Sequence, residues 1–404
     1  MAKIDMAQLI SIDDLSKRQQ TASQKFALFE LGFRPFFLLG SLFAFLAITP
    51  WILSLHGIFP NQNLAANYTL WWHGHEMIFG FALAIIMGFL LTAAQNWTGV
   101  PSIKGKWLSV LVGLWLLPRL GLALSAQPFY WLWAVCDVLA NIGILLVLAR
   151  MILKAKQWRN SPFLLIMSTF AILNLLSYGF NETTQSEVIR QIHYAAIWLI
   201  AIVVNIMGGR VIPAFTQNAV KYGRQPESPW LLRLTSLGLV LLMINSFLDI
   251  PIFLRIVAAI TGALLLYRWH FWGWYASWRN PLLWSLHISF VCLPLACLLI
   301  AAGYPFTGAL HLLTIGAISG LIIAMMSRVS LGHTGRMLQA PRGMKFAYVL
   351  IILSAMFRTL AAVWVQWYLP LIDVAVLCWL FAFLGFLYYY TPILLTPRVD
   401  GKRG

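Results

Sequence analysis

Twelve predominantly apolar stretches of about 20 residues follow one another along this 404-residue chain, and a soluble fold has no place for so many. A helix crosses the hydrocarbon core of a bilayer in about 20 residues, so twelve crossings use roughly 240 residues and leave no separate soluble domain. The spans read as 35-55, 71-95, 107-125, 129-149, 162-180, 191-212, 230-249, 251-268, 281-302, 307-330, 345-364 and 369-391. Composition agrees, with 61% hydrophobic and 10% charged residues and a mean hydropathy of +0.80. Strands are not needed. The fold expected is an all-α integral membrane domain over 35-391, with an N-terminal arm at 1-34 and a tail at 392-404. Met1 to Glu30 mixes acids and bases without an apolar run, which is not the pattern of a cleavable signal peptide.

The charge balance is explained by topology. Twelve crossings put both termini on one side, and of 28 Lys and Arg only Arg119, Arg190, Arg255 and Arg358 fall toward the other, which leaves 24 on the terminal side. That asymmetry places both termini in the cytoplasm. It also accounts for the net charge of +16, so nucleic-acid binding loses its support. Most of the 19 Trp are expected in belts at the membrane interfaces. The four cysteines lie in apolar runs without CxxC or zinc spacing and read as small hydrophobes.

The most informative feature is a repeat. His75, His193 and His311 are spaced 118 residues apart, and so are Thr98, Thr216 and Thr334. The second and third units also share Arg210 and Arg328 at that spacing. Each unit opens alike, with Phe33-Arg34-Pro35, Trp158-Arg159-Asn160-Ser161-Pro162 and Trp278-Arg279-Asn280-Pro281. Three pseudo-threefold-related units of four helices result, over about 35-149, 162-268 and 281-391. The marked histidines lie near the outer ends of crossings 2, 6 and 10, where equivalent helices can bring them to one depth.

Ionisable groups inside a membrane are functional by default. His333 follows His311 by 22 residues, about 33 Å of helix, so one metal cannot bind both. Two candidate sites follow: an outer one with His73, His75, His193 and His311, and an inner one with His287 and His333. His56 and His270 sit at span ends and read as interfacial. His73 and His75 can share a metal only if the helix begins between them. Glu76 could orient an imidazole or pair with Arg190. Asp137, Asp249 and Asp373 stand as isolated acids. Phe79 occupies the position where HExxH needs its second His. No nucleotide loop, Ser-His-Asp spacing or paired catalytic carboxylates occur in the membrane region, so no catalytic constellation is established. Buried imidazoles with Met207, Met325 and Met326 nearby suit haem iron or copper better than magnesium or calcium.

Gly32-Phe33-Arg34-Pro35-Phe36-Phe37, Trp72-His73-Gly74-His75-Glu76-Met77, Gly88-Phe89-Leu90-Leu91-Thr92-Ala93, Asn96-Trp97-Thr98-Gly99 and Arg328-Val329-Ser330-Leu331-Gly332-His333-Thr334-Gly335-Arg336 resemble the NnrS family over nearly the whole chain. The resemblance implies a bacterial inner-membrane protein that carries haem and copper and acts in the nitric oxide response. On that expectation copper takes His75, His193 and His311, with His73 as fourth ligand or support. Haem b takes His287 or His333, or both, with Arg210, Arg328 and Arg336 on the same side to pair with propionates, and the opposing assignment places haem at the outer cluster, as in the oxidases. The twelve-helix plan is similar to the large subunit of haem-copper oxidases and nitric oxide reductases at the level of fold only. An adjacent His-His pair and a tyrosine placed beside a histidine on one helix are not found. The alternative reading is a transporter whose histidines carry copper or protons. For the topology, a reporter fused between Asn61 and Asn67 should be active outside the cytoplasm; cytoplasmic activity there would overturn the orientation.

Overall fold

The computed structural model describes residues 26–58, 69–124, 128–180, 184–220 and 228–401. Residues 1–25 of the expected arm and 402–404 of the expected tail lie outside the described residues, as does the loop at 59–68. Regular structure among the described residues is helical, without strands. The helices are α1 (Phe33–Leu55), α2 (Leu70–Thr98), α3 (Lys106–Leu124), α4 (Tyr130–Lys154), α5 (Pro162–Gly179) and α6 (Ser186–Val220), then α7 (Pro229–Leu248), α8 (Pro251–His270), α9 (Pro281–Ala301), α10 (Phe306–His333), α11 (Met344–Leu360) and α12 (Tyr368–Leu395).

Eleven of these are long and apolar enough to cross a membrane. The expected eleventh span, 345-364, ends early: α11 stops at Leu360, and a short turn at Val365–Trp367 leads into α12. It is 17 residues long, just short of a full crossing at 1.5 Å per residue. Local signals set the ends elsewhere. Proline opens α5, α7, α8 and α9, where its missing N–H costs nothing. The Thr69 side chain accepts from the Trp72 N–H at the start of α2. Gly99 ends α2 with φ +67°.

Successive helices pack against one another, and α12 returns to pack on α1, which closes the array. The spans of α2, α6 and α10 are the most buried, at 83%, 78% and 72% of their apolar windows, against 28–67% for the other eight. These three therefore form the inside. They are the helices that carry the registered histidines.

Polar groups tie neighbouring helices at the contacts. The Phe33 N–H donates to Thr92 Oγ1 (3.0 Å) between α1 and α2. Trp115 donates to the Gly80 carbonyl and Trp379 to that of Ala44, each at 2.9 Å. Several tryptophans expected at interfaces are thus core residues: Trp72, Trp115 and Trp198 are fully buried. The Trp115 indole N–H finds a main-chain partner inside the bundle, so its aromatic body is free to pack. The cysteines stand as expected, free, with three of the four buried.

Arg34 performs the closure of α1 on α12. It is fully buried, and its Nη1 donates to the carbonyls of Leu394 (2.9 Å) and Thr396 (2.7 Å) at the end of α12. Those oxygens have no helical partner, and a cation suits a helix C-terminus. Arg34→Met keeps the apolar stem and removes the fork. It should lower the thermal midpoint of the purified protein by several degrees, on the order of 2–4 kcal/mol, with Arg34→Lys falling between. An unchanged midpoint in the Met variant would show that closure does not depend on this contact.

Candidate metal centre

Regular α-helix is interrupted in α2 and α10 immediately after a registered histidine. A π-helical segment runs over Glu76–Ala82, directly after His75, and another over Leu312–Ser319, directly after His311. Such segments are rare and concentrate at functional sites, because the extra residue per turn re-aims the side chains that follow. α6 runs without one past His193.

Contrary to the geometry that shared ligation required, α2 begins at Leu70, so His73 and His75 both lie on it and face apart. His73 stacks on Trp51 of α1, with ring centroids 4.1 Å apart, and its buried Nδ1 has no hydrogen-bond partner among the described residues. His75 turns inward. Its Nδ1 meets Glu76 Oε1 and its Nε2 meets Asn174 Oδ1, each at 2.9 Å, and Trp71 stacks on the ring.

Behind His75 lies a buried ionic network that the sequence reading left as separate residues. Arg119 from α3 bridges two carboxylates, with Nε 2.7 Å from Glu76 Oε2 and Nη2 2.5 Å from Asp137 Oδ2. Tyr178 from α5 donates to the same Asp137 oxygen at 3.1 Å, and its ring packs edge-on to His75. Of the two options for Glu76, orienting the imidazole is the one taken. Arg190 pairs with Glu187 instead. Two carboxylates face one guanidinium here, and both ring nitrogens of His75 have a polar neighbour, Glu76 on one side and Asn174 on the other. A signal was available: Arg119 is the one basic residue within span 107-125, and Asp137 is the one acid within the next span.

His193 and His311 are each anchored through one ring nitrogen. His193 Nε2 meets Ser177 Oγ at 2.9 Å, and its Nδ1 lies so close to Gly74 that a Cβ there would sit 2.5 Å from it. His311 Nδ1 donates to the Thr307 carbonyl at 2.7 Å, the arrangement that fixes the tautomer of a ligating imidazole and presents Nε2. His73 is within electrostatic reach of both His193 and His311, and Arg358 of α11 faces His73 and His311. Among the described residues no three of the His, Cys, Asp and Glu side chains converge on a single metal position.

At the opposite end, the Thr216 hydroxyl donates to the Ile212 carbonyl (2.9 Å), so it can only accept from His287 Nε2, also 2.9 Å away. His287 Nδ1 therefore carries the lone pair. It is buried and unpartnered among the described residues. His333 packs its ring on Phe33 at 5.7 Å. The arginines expected beside it are dispersed: Arg210 donates to Asn160 Oδ1, Arg336 to Thr396 Oγ1, and Arg328 lies over the Phe215 ring at 4.0 Å. Burial beside Thr396 pushes the Arg336 guanidinium below its ordinary pKa. Of the sequence's methionines, Met326 accepts from Ser41, whereas Met207 and Met325 face a cavity between α2, α6 and α10.

The sequence family described as NnrS protein matches residues 27–398. No curated protein matches the chain.

The ionic network makes a direct prediction. Arg119→Leu strands two buried carboxylates, and loss of one partner of a buried pair costs about 3–5 kcal/mol. The variant should show a much lower thermal midpoint and poor recovery as a monodisperse species. Adding Glu76→Gln and Asp137→Asn to it should restore part of the loss. A stable single variant would refute the network as a structural requirement.

Proposed function

The chain belongs to the NnrS family, which makes it a membrane protein associated with the nitric oxide response, and on that premise we propose that it binds nitric oxide at a histidine-ligated haem or copper centre and so protects the cell from nitrosative stress. The observation that carries this reading is the set of imidazoles at one end of the three most buried helices. His73 keeps a buried nitrogen without a partner, and His193 and His311 are each held by a hydrogen bond through one nitrogen. Buried polar groups are normally satisfied, so a side chain held inside a membrane with a lone pair to spare fits a ligand role.

Copper is assigned to His73, His193 and His311. Neutral imidazole suits that metal, and the Arg358 guanidinium beside the cluster would favour an anionic or electron-rich co-ligand. His75 supports the cluster from behind, because its nitrogens are taken up by Glu76 and Asn174. Haem b is assigned to the opposite end, where His287 keeps an unpartnered Nδ1 and His333 stands at the end of α10. Arg328, whose guanidinium lies over the Phe215 ring, would pair with a propionate. A haem held by these residues would supply a site for nitric oxide. The protein is placed in the bacterial inner membrane with both termini in the cytoplasm.

The reading predicts binding rather than turnover. Tyr178 does stand beside His75, from another helix, but it is committed to Asp137 and faces no second imidazole. Purified protein should show a Soret band that shifts on addition of nitric oxide. An electrode should record uptake that stops near stoichiometry, whereas sustained consumption would establish an enzyme. Copper content should fall in the His73, His193 and His311 triple Ala variant, and the haem band should change in His287→Ala or His333→Ala. A colourless, metal-free preparation would overturn the proposal in favour of transport.

A further inference from the structure

We infer that α2, α6 and α10 enclose a binding site for small uncharged gas molecules on a pseudo-threefold axis. Between these helices, with Phe37 of α1, lies a cavity of about 90 Å³ whose lining is wholly apolar. Its walls follow the 118-residue register. Ile85, Val203 and Leu321 line it together, as do Phe89, Met207 and Met325, and the set one position after the first lines it too. Equivalent residues of three units meet around one space only if the units are related by rotation about it. The sequence repeat and the cavity are independent observations, and they point to the same axis.

Depth and chemistry define the ligand. These positions lie 10 to 14 residues beyond the registered histidines, roughly 15–20 Å along the helices at about 1.5 Å per residue, which is near the middle of the crossing. No polar or titratable side chain lines the space, so water has no partner there and an ion has no counter-charge. Apolar cavities of this kind stay dry and take apolar guests; one of about 150 Å³ holds benzene or xenon. A space of about 90 Å³ suits a monatomic or diatomic guest such as xenon, dioxygen or nitric oxide. The hydrocarbon around the protein already concentrates such molecules relative to water. Whether or not the chain carries a metal, the site stands on shape and polarity alone.

The probe is xenon. Full-length protein in nanodiscs is examined by 129Xe saturation-transfer NMR against empty discs of the same lipid, with Val203→Phe to fill the cavity and Val203→Ala to enlarge it. Wild type should give a saturable xenon signal absent from empty discs, Val203→Phe should abolish it, and Val203→Ala should strengthen it. A wild-type signal no larger than that of empty discs, or one that Val203→Phe leaves unchanged, overturns the inference. Should Val203→Phe fail to fold, the Ala variant decides: a signal that does not increase counts against the site.

Discussion

Between helices immersed in lipid, burying one more leucine gains little, because the hydrocarbon tails are as apolar as leucine itself. What selects one arrangement of twelve such helices is close packing together with the few polar groups that must find each other. The network of Arg119, Glu76, Asp137, His75 and Tyr178 is the most consequential case. It draws on α2, α3, α4 and α5, and no member can leave without stranding a charge in a medium that cannot solvate it. The first unit of the repeat and its junction with the second are therefore fixed by charge. Elsewhere neutral donors do the same work at lower stakes, as Ser354 does for α11 on α12.

The second unit shows the same economy with one cation. Arg268 of α8 is buried, donating to the Asn205 carbonyl at 2.9 Å and to the Asn205 side chain, which in turn reaches Thr235 on α7. Gly209 is what lets the guanidinium in, since a Cβ there would collide with it. α6, α7 and α8 are thus held around one arginine by amide and hydroxyl groups. Arg268 lies in the last turn of α8, where a cation suits the helix C-terminus.

The number of helices and their order were legible because each rests on local information: apolar run length and proline and glycine punctuation. The short α11 was not, because Ala361 to Trp364 are as apolar as the span before them and only the backbone turn ends the helix. At the candidate site the placement of the histidines within helices was legible, whereas their orientations were not. Whether His73 or His75 turns inward depends on where α2 begins and on the π-segment that follows, and both arise from partners on α1, α3 and α5. Likewise the tautomer of His287 follows from Thr216 on α6, 71 residues away. Thr98, Thr216 and Thr334 each donate to the carbonyl four residues back, and Thr216 also meets a histidine, His287.

The register extends to positions that carry no shared motif. Asp137 and Asp373 are separated by twice 118 residues, and His56 and Asn174 by 118. His56 Nε2 meets Asp373 at 2.8 Å where α1 passes α12. Asn174 meets His75, which lies 3.7 Å from Asp137, where α5 passes α4. The same pair of register positions thus supplies a polar contact at two junctions, once directly and once through an inserted imidazole. The direct contact is partly exposed and needs no third group. The buried one has acquired Arg119 and Glu76, and it coincides with one of the two π-segments. The buried junction thus keeps the contact positions of the exposed one while adding charge and local backbone irregularity.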